Sequence, residues 1–246
     1  MKHLLLFLLL LSPTLLVAGV TEDFQEGVRV YDQGDFVASS GKFQSIIDLG
    51  YASTSLYYNA GCAYYKAGHL GRAIANFRRA EKLTPDDEDI RTNLAFTKQF
   101  CVDKVDVTQV DPFLTRVGNL LATLHPNQYF LISFVAFLIA FTLLALKRIG
   151  IATRFGNSPV VALAIVAIIG VAAMTWVLRS NYIADEGVIV VEQTEILSGP
   201  GNDFELQFEG HEGLTFTILD QKQDYYLGLF ANRLKGWVKI PAVERI

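Results

Sequence analysis

The chain has 246 residues, 51% of them hydrophobic, and a formal net charge of −4. No run of Lys or Arg exceeds two adjacent residues, so there is no basic patch to track a nucleic-acid backbone, and a nucleic-acid partner is excluded. Two cysteines, Cys62 and Cys101, are too few for a disulfide framework.

Much of the apolar excess sits in three runs. The first is residues 1–19, MKHLLLFLLLLSPTLLVAG, in which a single Lys2 precedes an unbroken Leu/Phe stretch and the small residues Ala18 and Gly19 follow. That pattern reads as a secretory signal peptide cleaved after Ala18 or Gly19; the other reading is an uncleaved anchor, short and interrupted by Pro13. Either way the next segment is exported.

Residues 20–102 carry an internal period of 34. From Thr54 the stretch TSLYYNAGCAYYKAGHLGRAIANFRRAEKLTPDD places Tyr57, Ala60, Gly61, Tyr64, Gly68, Ala73, Phe77, Ala80 and Pro85 at spacings that resemble the tetratricopeptide repeat. Gly61 and Ala73 are small where two antiparallel helices cross closely, Tyr64 and Phe77 fill the space between helix pairs, and Pro85 stops the second helix. One period earlier, Gly27, Gly34 and Phe43 fall on Gly61, Gly68 and Phe77, with Ser39 on the position of Ala73. One period later, Asp89–Phe100 supplies a single helix with Leu94 and Ala95 on the repeat's small positions. The expectation is two repeats and a capping helix, five helices in all.

In such an array the first helix of each repeat faces a concave groove. By position that face holds Tyr31, Tyr58, Asn59, Cys62, Tyr65 and Phe96, a candidate site for a peptide or partner helix; the competing reading packs these side chains against neighbouring helices. Asn59 sits where chaperone-binding tetratricopeptide proteins place a clamp for a C-terminal carboxylate. Phe24 and Val28 stand where that clamp needs Lys and Asn, which argues against it. Cys62 and Cys101 are offset along neighbouring helices and are expected to be unpaired. An array this short leaves apolar surface uncovered at its end, with Phe96 and Phe100 facing outward. The cover is expected from a partner protein, from the segment Pro112–Leu124, or from the membrane.

Residues 103–128 read as a linker followed by an amphipathic helix on a membrane surface, with Phe113, Leu114, Val117, Leu120, Leu121 and Leu124 on one face. Then come two charge-free runs, 129–146 and 160–179 up to its terminal Arg, each about 27–29 Å long as a helix and so able to cross a bilayer. A pair of core helices is the alternative, but such helices usually show a polar edge, and these do not. The connector 147–159 holds Lys147, Arg148 and Arg154 and no acid, which places it in the cytoplasm and both flanking arms outside.

Residues 185–246 change to short β-rich runs: Gly187–Glu192, Glu195–Leu197, Leu214–Leu219, Tyr225–Phe230 and Leu234–Ile240. Five short strands suggest a small barrel. The order of pieces, including the Gly236-Trp237-Val238 hairpin and Ile240-Pro241, resembles a bacterial SH3 domain. The resemblance implies a ligand groove at Tyr225, Tyr226 and Trp237, although a tryptophan in that hairpin is often core instead.

No nucleotide, serine-hydrolase, zinc-protease or Cys-x-x-Cys motif occurs, and the four histidines lie in four different segments. No cofactor or metal is implied, and the chain reads as not an enzyme. The fold class is a multidomain membrane protein: α-helical tetratricopeptide repeats, a two-helix transmembrane hairpin, and a small all-β SH3-like barrel. That whole order resembles the tetratricopeptide/SH3 membrane proteins of the Bacteroides aerotolerance operon, the BatE type. The resemblance implies a periplasm-facing scaffold of the inner membrane whose partners are envelope proteins, such as the von Willebrand A-domain proteins of the same operon. A peptidoglycan-binding module is the alternative.

Overall fold

The computed structural model describes residues 19–103, 126–149, 158–178, 185–231 and 233–246. The signal-like run 1–18, the segment Pro112–Leu124 and most of the cationic connector lie outside the described residues. The chain divides into two compact units. One joins the helical repeats to the C-terminal strands; the other holds the apolar hairpin.

The repeats are built from α1 (residues 19–32), α2 (Phe36–Asp48), α3 (Thr54–Lys66), α4 (Leu70–Leu83) and α5 (Glu88–Lys98). The 34-residue period is visible in the packing. A Cβ on Gly27 would lie 2.9 Å from the Phe43 ring, and one on Gly61 2.7 Å from the Phe77 ring, so the same close crossing recurs in both repeats. Gly34 and Gly68 end their helices with φ of 85° and 86°, the left-handed conformation that glycine adopts without strain. Where the good repeat has Ala73, the degenerate one has Ser39, whose buried hydroxyl donates to the Gly27 carbonyl at 2.9 Å.

Three of the helix starts are capped by side chains from within the repeats. Asp35, Ser53 and Asp87 accept backbone N–H groups at the first turns of α2, α3 and α5. His69, at the start of α4, makes no side-chain cap. There the Gly71 N–H donates instead to Glu212 Oε1 at 3.0 Å, a carboxylate 141 residues further along the chain.

That carboxylate belongs to a seven-stranded antiparallel sheet: β1 (Glu186–Ile189), β2 (Gln193–Leu197), β3 (Leu206–His211), β4 (Thr215–Lys222), β5 (Tyr225–Phe230), β6 (Lys235–Lys239) and β7 (Val243–Arg245). The strand order is β3-β2-β6-β5-β4-β1-β7. The five expected strands are present, and β3 and β7 are additional. The expected closed barrel is corrected: β3 and β7 stand at opposite edges and do not pair, so the sheet is open. One face buries Ile189, Ile196, Phe216, Tyr226, Phe230 and Val238 as its core.

The sheet packs directly on the repeats. Val188 is fully buried in the repeat core, with Val190 and Ile246 against the same cluster. Arg78 on α4 grips Glu186 with contacts of 2.6, 2.7 and 3.0 Å, Arg79 bonds Glu244 at 2.6 Å, and Lys82 donates to the Ile246 carbonyl at 3.2 Å. At the end of α5, Asp103 accepts the His211 N–H at 2.7 Å and lies 3.1 Å from its Nδ1. These contacts cover α4 and the end of α5, where a longer array would place its next helix. The chain's own sheet therefore covers α4 and the residues after α5, while Phe96 and Phe100 stay exposed.

In the second unit, α6 (Pro126–Arg148) and α7 (Ser158–Leu178) pack side by side. Both are long and apolar enough to cross a membrane, with mean hydropathy of 2.6 and 2.3 over their spans. The seam uses small residues: Ala136, Ala140 and Ala173 are buried, and Gly170 lets Ser133 approach so closely that a Cβ would lie 2.1 Å from its Oγ. That hydroxyl is satisfied within its own helix by the Tyr129 carbonyl at 2.7 Å. Large apolar side chains such as Phe137 and Ile168 are exposed.

Candidate functional site

The groove residues fall into two sets. In the first, side chains are engaged inside the array. Tyr58 receives a hydrogen bond from Asn93 Nδ2 at 2.9 Å and packs against Phe77 with ring centroids 5.9 Å apart. Tyr31 packs edge-on to Phe36 at 5.1 Å. Asn59 turns its amide back onto its own helix, donating to the Ser55 carbonyl at 2.8 Å. Phe24 and Val28 pack against the repeat core, so the carboxylate-clamp positions are apolar in space as well as in sequence.

The second set is an open aromatic wall. Tyr65, Phe96 and Phe100 form a triangle with centroid separations of 5.8, 6.0 and 5.1 Å. Phe96 is 46% exposed and Phe100 53%. Phe96 lies on α5 and Phe100 in the turn that follows it, and Tyr65 reaches both from α3.

Burial pushes the Tyr31 and Tyr58 phenols and the Cys62 thiol above their ordinary values, so these three groups are uncharged around neutral pH. Such a surface offers ring faces, edges and hydroxyls to an apolar or aromatic segment. Cys62 and Cys101 are both free thiols, half-buried and buried respectively.

The three residues expected to line a groove in the sheet are not brought together. Tyr225 and Tyr226 are adjacent on β5 and face opposite sides, as successive strand residues must. Tyr226 is part of the main core, whereas Tyr225 and Trp237 share the other face with Leu197 and Leu227. All three are buried, at 7%, 8% and 8% exposure for Tyr225, Tyr226 and Trp237. The Tyr225 hydroxyl is held by Asn202 Oδ1 at 2.9 Å, and the Lys222 ammonium sits 5.7 Å over the Trp237 ring. Among the described residues no three His, Cys, Asp or Glu side chains converge to hold a metal ion.

The groove helices include the repeat that the spacing pointed to. Residues 55–87 match the tetratricopeptide repeat family. No curated protein matches the chain. The chain thus carries a tetratricopeptide repeat, a module that mediates protein–protein contacts, on a unit completed by an antiparallel sheet.

Proposed function

We propose that the chain is a non-enzymatic scaffold of the bacterial inner membrane, holding partner proteins on the periplasmic side through the Tyr65, Phe96 and Phe100 wall. The carrying observation is the contrast along the groove: the engaged residues are locked in hydrogen bonds and packing, while this triangle is left half open. Exposed aromatic clusters rimmed by polar surface mark protein contact sites.

The anchor rests on the two apolar helices, whose large side chains are exposed rather than packed in a core. Residues on either side of the hairpin belong to one unit, tied by Arg78 to Glu186 and Asp103 to His211. Both flanking segments therefore lie on one side of any membrane the hairpin crosses. The cationic connector then sets which side: it stays in the cytoplasm and the unit is periplasmic. A cysteine at Gly156 should be shielded from an impermeant thiol reagent in spheroplasts, and one at Asp203 should react. The reverse pattern overturns the topology.

The sheet, with its Gly236-Trp237-Val238 hairpin, is read as an SH3-like unit whose main task is to complete the repeats. By resemblance to the BatE type, the partners are envelope proteins of a stress-linked assembly, with von Willebrand A-domain proteins the leading class. A photo-crosslinker at position 96 in intact cells should yield protein adducts, and one at 204, in the loop between β2 and β3, should not. If position 96 yields none and the sheet is retained on purified sacculi, the scaffold reading gives way to wall binding.

A further inference from the structure

A second site lies away from the aromatic wall, between α2 and the corner joining α3 to α4. A cavity of about 310 Å³ opens there, lined among others by Gln44, Ser45, Asp48, Tyr64, His69 and Arg72. Its floor is a chain of polar contacts that crosses from one repeat to the next. Gln44 Nε2 donates to Asp48 Oδ1 at 2.8 Å, the Tyr64 hydroxyl donates to Gln44 Oε1 at 2.9 Å, and Arg72 Nη1 donates to the Tyr64 oxygen at 3.5 Å. The Arg72 guanidinium also lies over the Tyr64 ring, 5.6 Å from its centroid, and His69 meets the same ring edge-on at 6.3 Å. Tyr64 is 3% exposed and so fixes the platform on which the arginine rests.

The arginine has no carboxylate within ion-pair distance among the described residues. This contrasts with Arg78 and Arg79 on the same helix, each paired with an acid. A guanidinium presents a planar fork of donors matched to a two-oxygen acceptor. Here the fork is held by stacking and one weak contact, and the exposed Arg72 side chain forms part of the cavity lining. Asp48 shares the lining, and its charge disfavours a dianion such as phosphate while leaving an acceptor for a peptide N–H.

We infer that this cavity binds a carboxylate side chain, Asp or Glu, of an extended segment in a partner protein, with Arg72 as the fork. The site is separate from the aromatic wall, so its failure leaves the scaffold reading standing.

The test uses the full chain in detergent micelles, labelled with 15N-arginine, and follows the Arg72 Nε–H resonance. The probe is the peptide acetyl-Ala-Glu-Ala-amide; its Gln counterpart and inorganic phosphate are the controls. The Glu peptide should shift the resonance saturably, the Gln peptide should bind at least tenfold more weakly, and phosphate should bind more weakly than the Glu peptide. Arg72→Lys keeps the charge and removes the fork, and should weaken binding at least fivefold. Gly41→Glu places a competing carboxylate in the lining at a position where a Cβ meets nothing within 4 Å, so the variant should fold normally and lose probe binding. Equal binding of the Gln peptide, tighter binding of phosphate, unchanged binding by Arg72→Lys, or a stable Gly41→Glu variant that still binds would each overturn the inference.

Discussion

The ion pair between Arg78 and Glu186 joins residues 108 positions apart and can be used to measure how tightly the sheet is held to the repeats. The two side chains retain 24% and 17% of their exposure, so the pair lies between the surface and buried classes. Burial by itself lowers the Arg78 pKa, but hydrogen bonds and charge from Glu186 and Glu81 outweigh it and raise the value overall. Exposed pairs contribute about 0–1 kcal/mol, and breaking a buried one costs about 3–5, so removing Arg78 should cost about 2–3 kcal/mol. Arg78→Met strands two carboxylates, Glu186 and Glu81, whereas Glu186→Gln leaves Arg78 its contact with Glu81. The glutamine variant should therefore lose less, about 1–2 kcal/mol. The buried Cys101 thiol, packed near Gly213 at the edge of this interface, reports its opening through its labelling rate. If opening precedes labelling, a loss of about 2–3 kcal/mol should speed reaction by roughly 30- to 150-fold, with the half-buried Cys62 as internal reference. A double-mutant cycle with both substitutions should show clear coupling. Additive effects below about 0.5 kcal/mol each, with Cys101 labelling unchanged, would refute the claim that this contact holds the two parts together.

Gly71→Ala should destabilise the unit by about 1–3 kcal/mol although alanine is the better helix former, because the new Cβ would sit 2.3 Å from the Ile189 carbonyl across the interface; thermal melting checks it. Gly41→Ala, with open space around it, should instead stabilise by about 0.5–1 kcal/mol in the same assay. The Cys101 thiol is pushed up to about 11 by burial, reinforced by the Glu212 charge. A thiol whose folded value lies above its unfolded one contributes stability below about pH 9 that is lost as pH rises towards 11. Denaturation at pH 8 and pH 11 should therefore show a fall of up to roughly 2–3 kcal/mol that is absent in Cys101→Ala. Asn76 is fully buried and its Oδ1 has no partner among the described residues, so Asn76→Leu should be neutral or stabilising by about 1 kcal/mol in the same melts.

The elements most legible in the sequence were those with a strict local period. The spacing of Gly27 to Phe43 recurs as Gly61 to Phe77 because one crossing geometry is used twice, and the hairpin is legible because its runs are uniformly apolar. Strand β3 escaped because LQFEGH exposes Leu206 and Gln207 together, which breaks the alternation expected of a half-buried strand. Strand β7 escaped because it is a three-residue piece behind Pro241. The assignment of Tyr225 and Tyr226 to one groove overlooked a constraint already present in the sequence: neighbours on a strand face opposite sides. No local signal could have shown that Glu212 caps α4 or that Glu186 meets Arg78. Those pairings depend on the three-dimensional return of the chain after the hairpin, and one acid among many carries no mark of its distant partner.

That return has a consequence for how the protein is made. The last cover for α4 and α5 comes from residues that follow both apolar helices, so the repeats leave the ribosome well before their final contacts exist. At about 5–20 residues per second, the stretch between Cys101 and Glu186 takes roughly 4–17 s to synthesise. Throughout that interval the surface that will receive Val188 and the side chains of Arg78 and Arg79 lack their partners. Completion of the repeats is thereby tied to synthesis of the apolar hairpin. A chain stalled in the hairpin would present an incomplete array to chaperones and proteases.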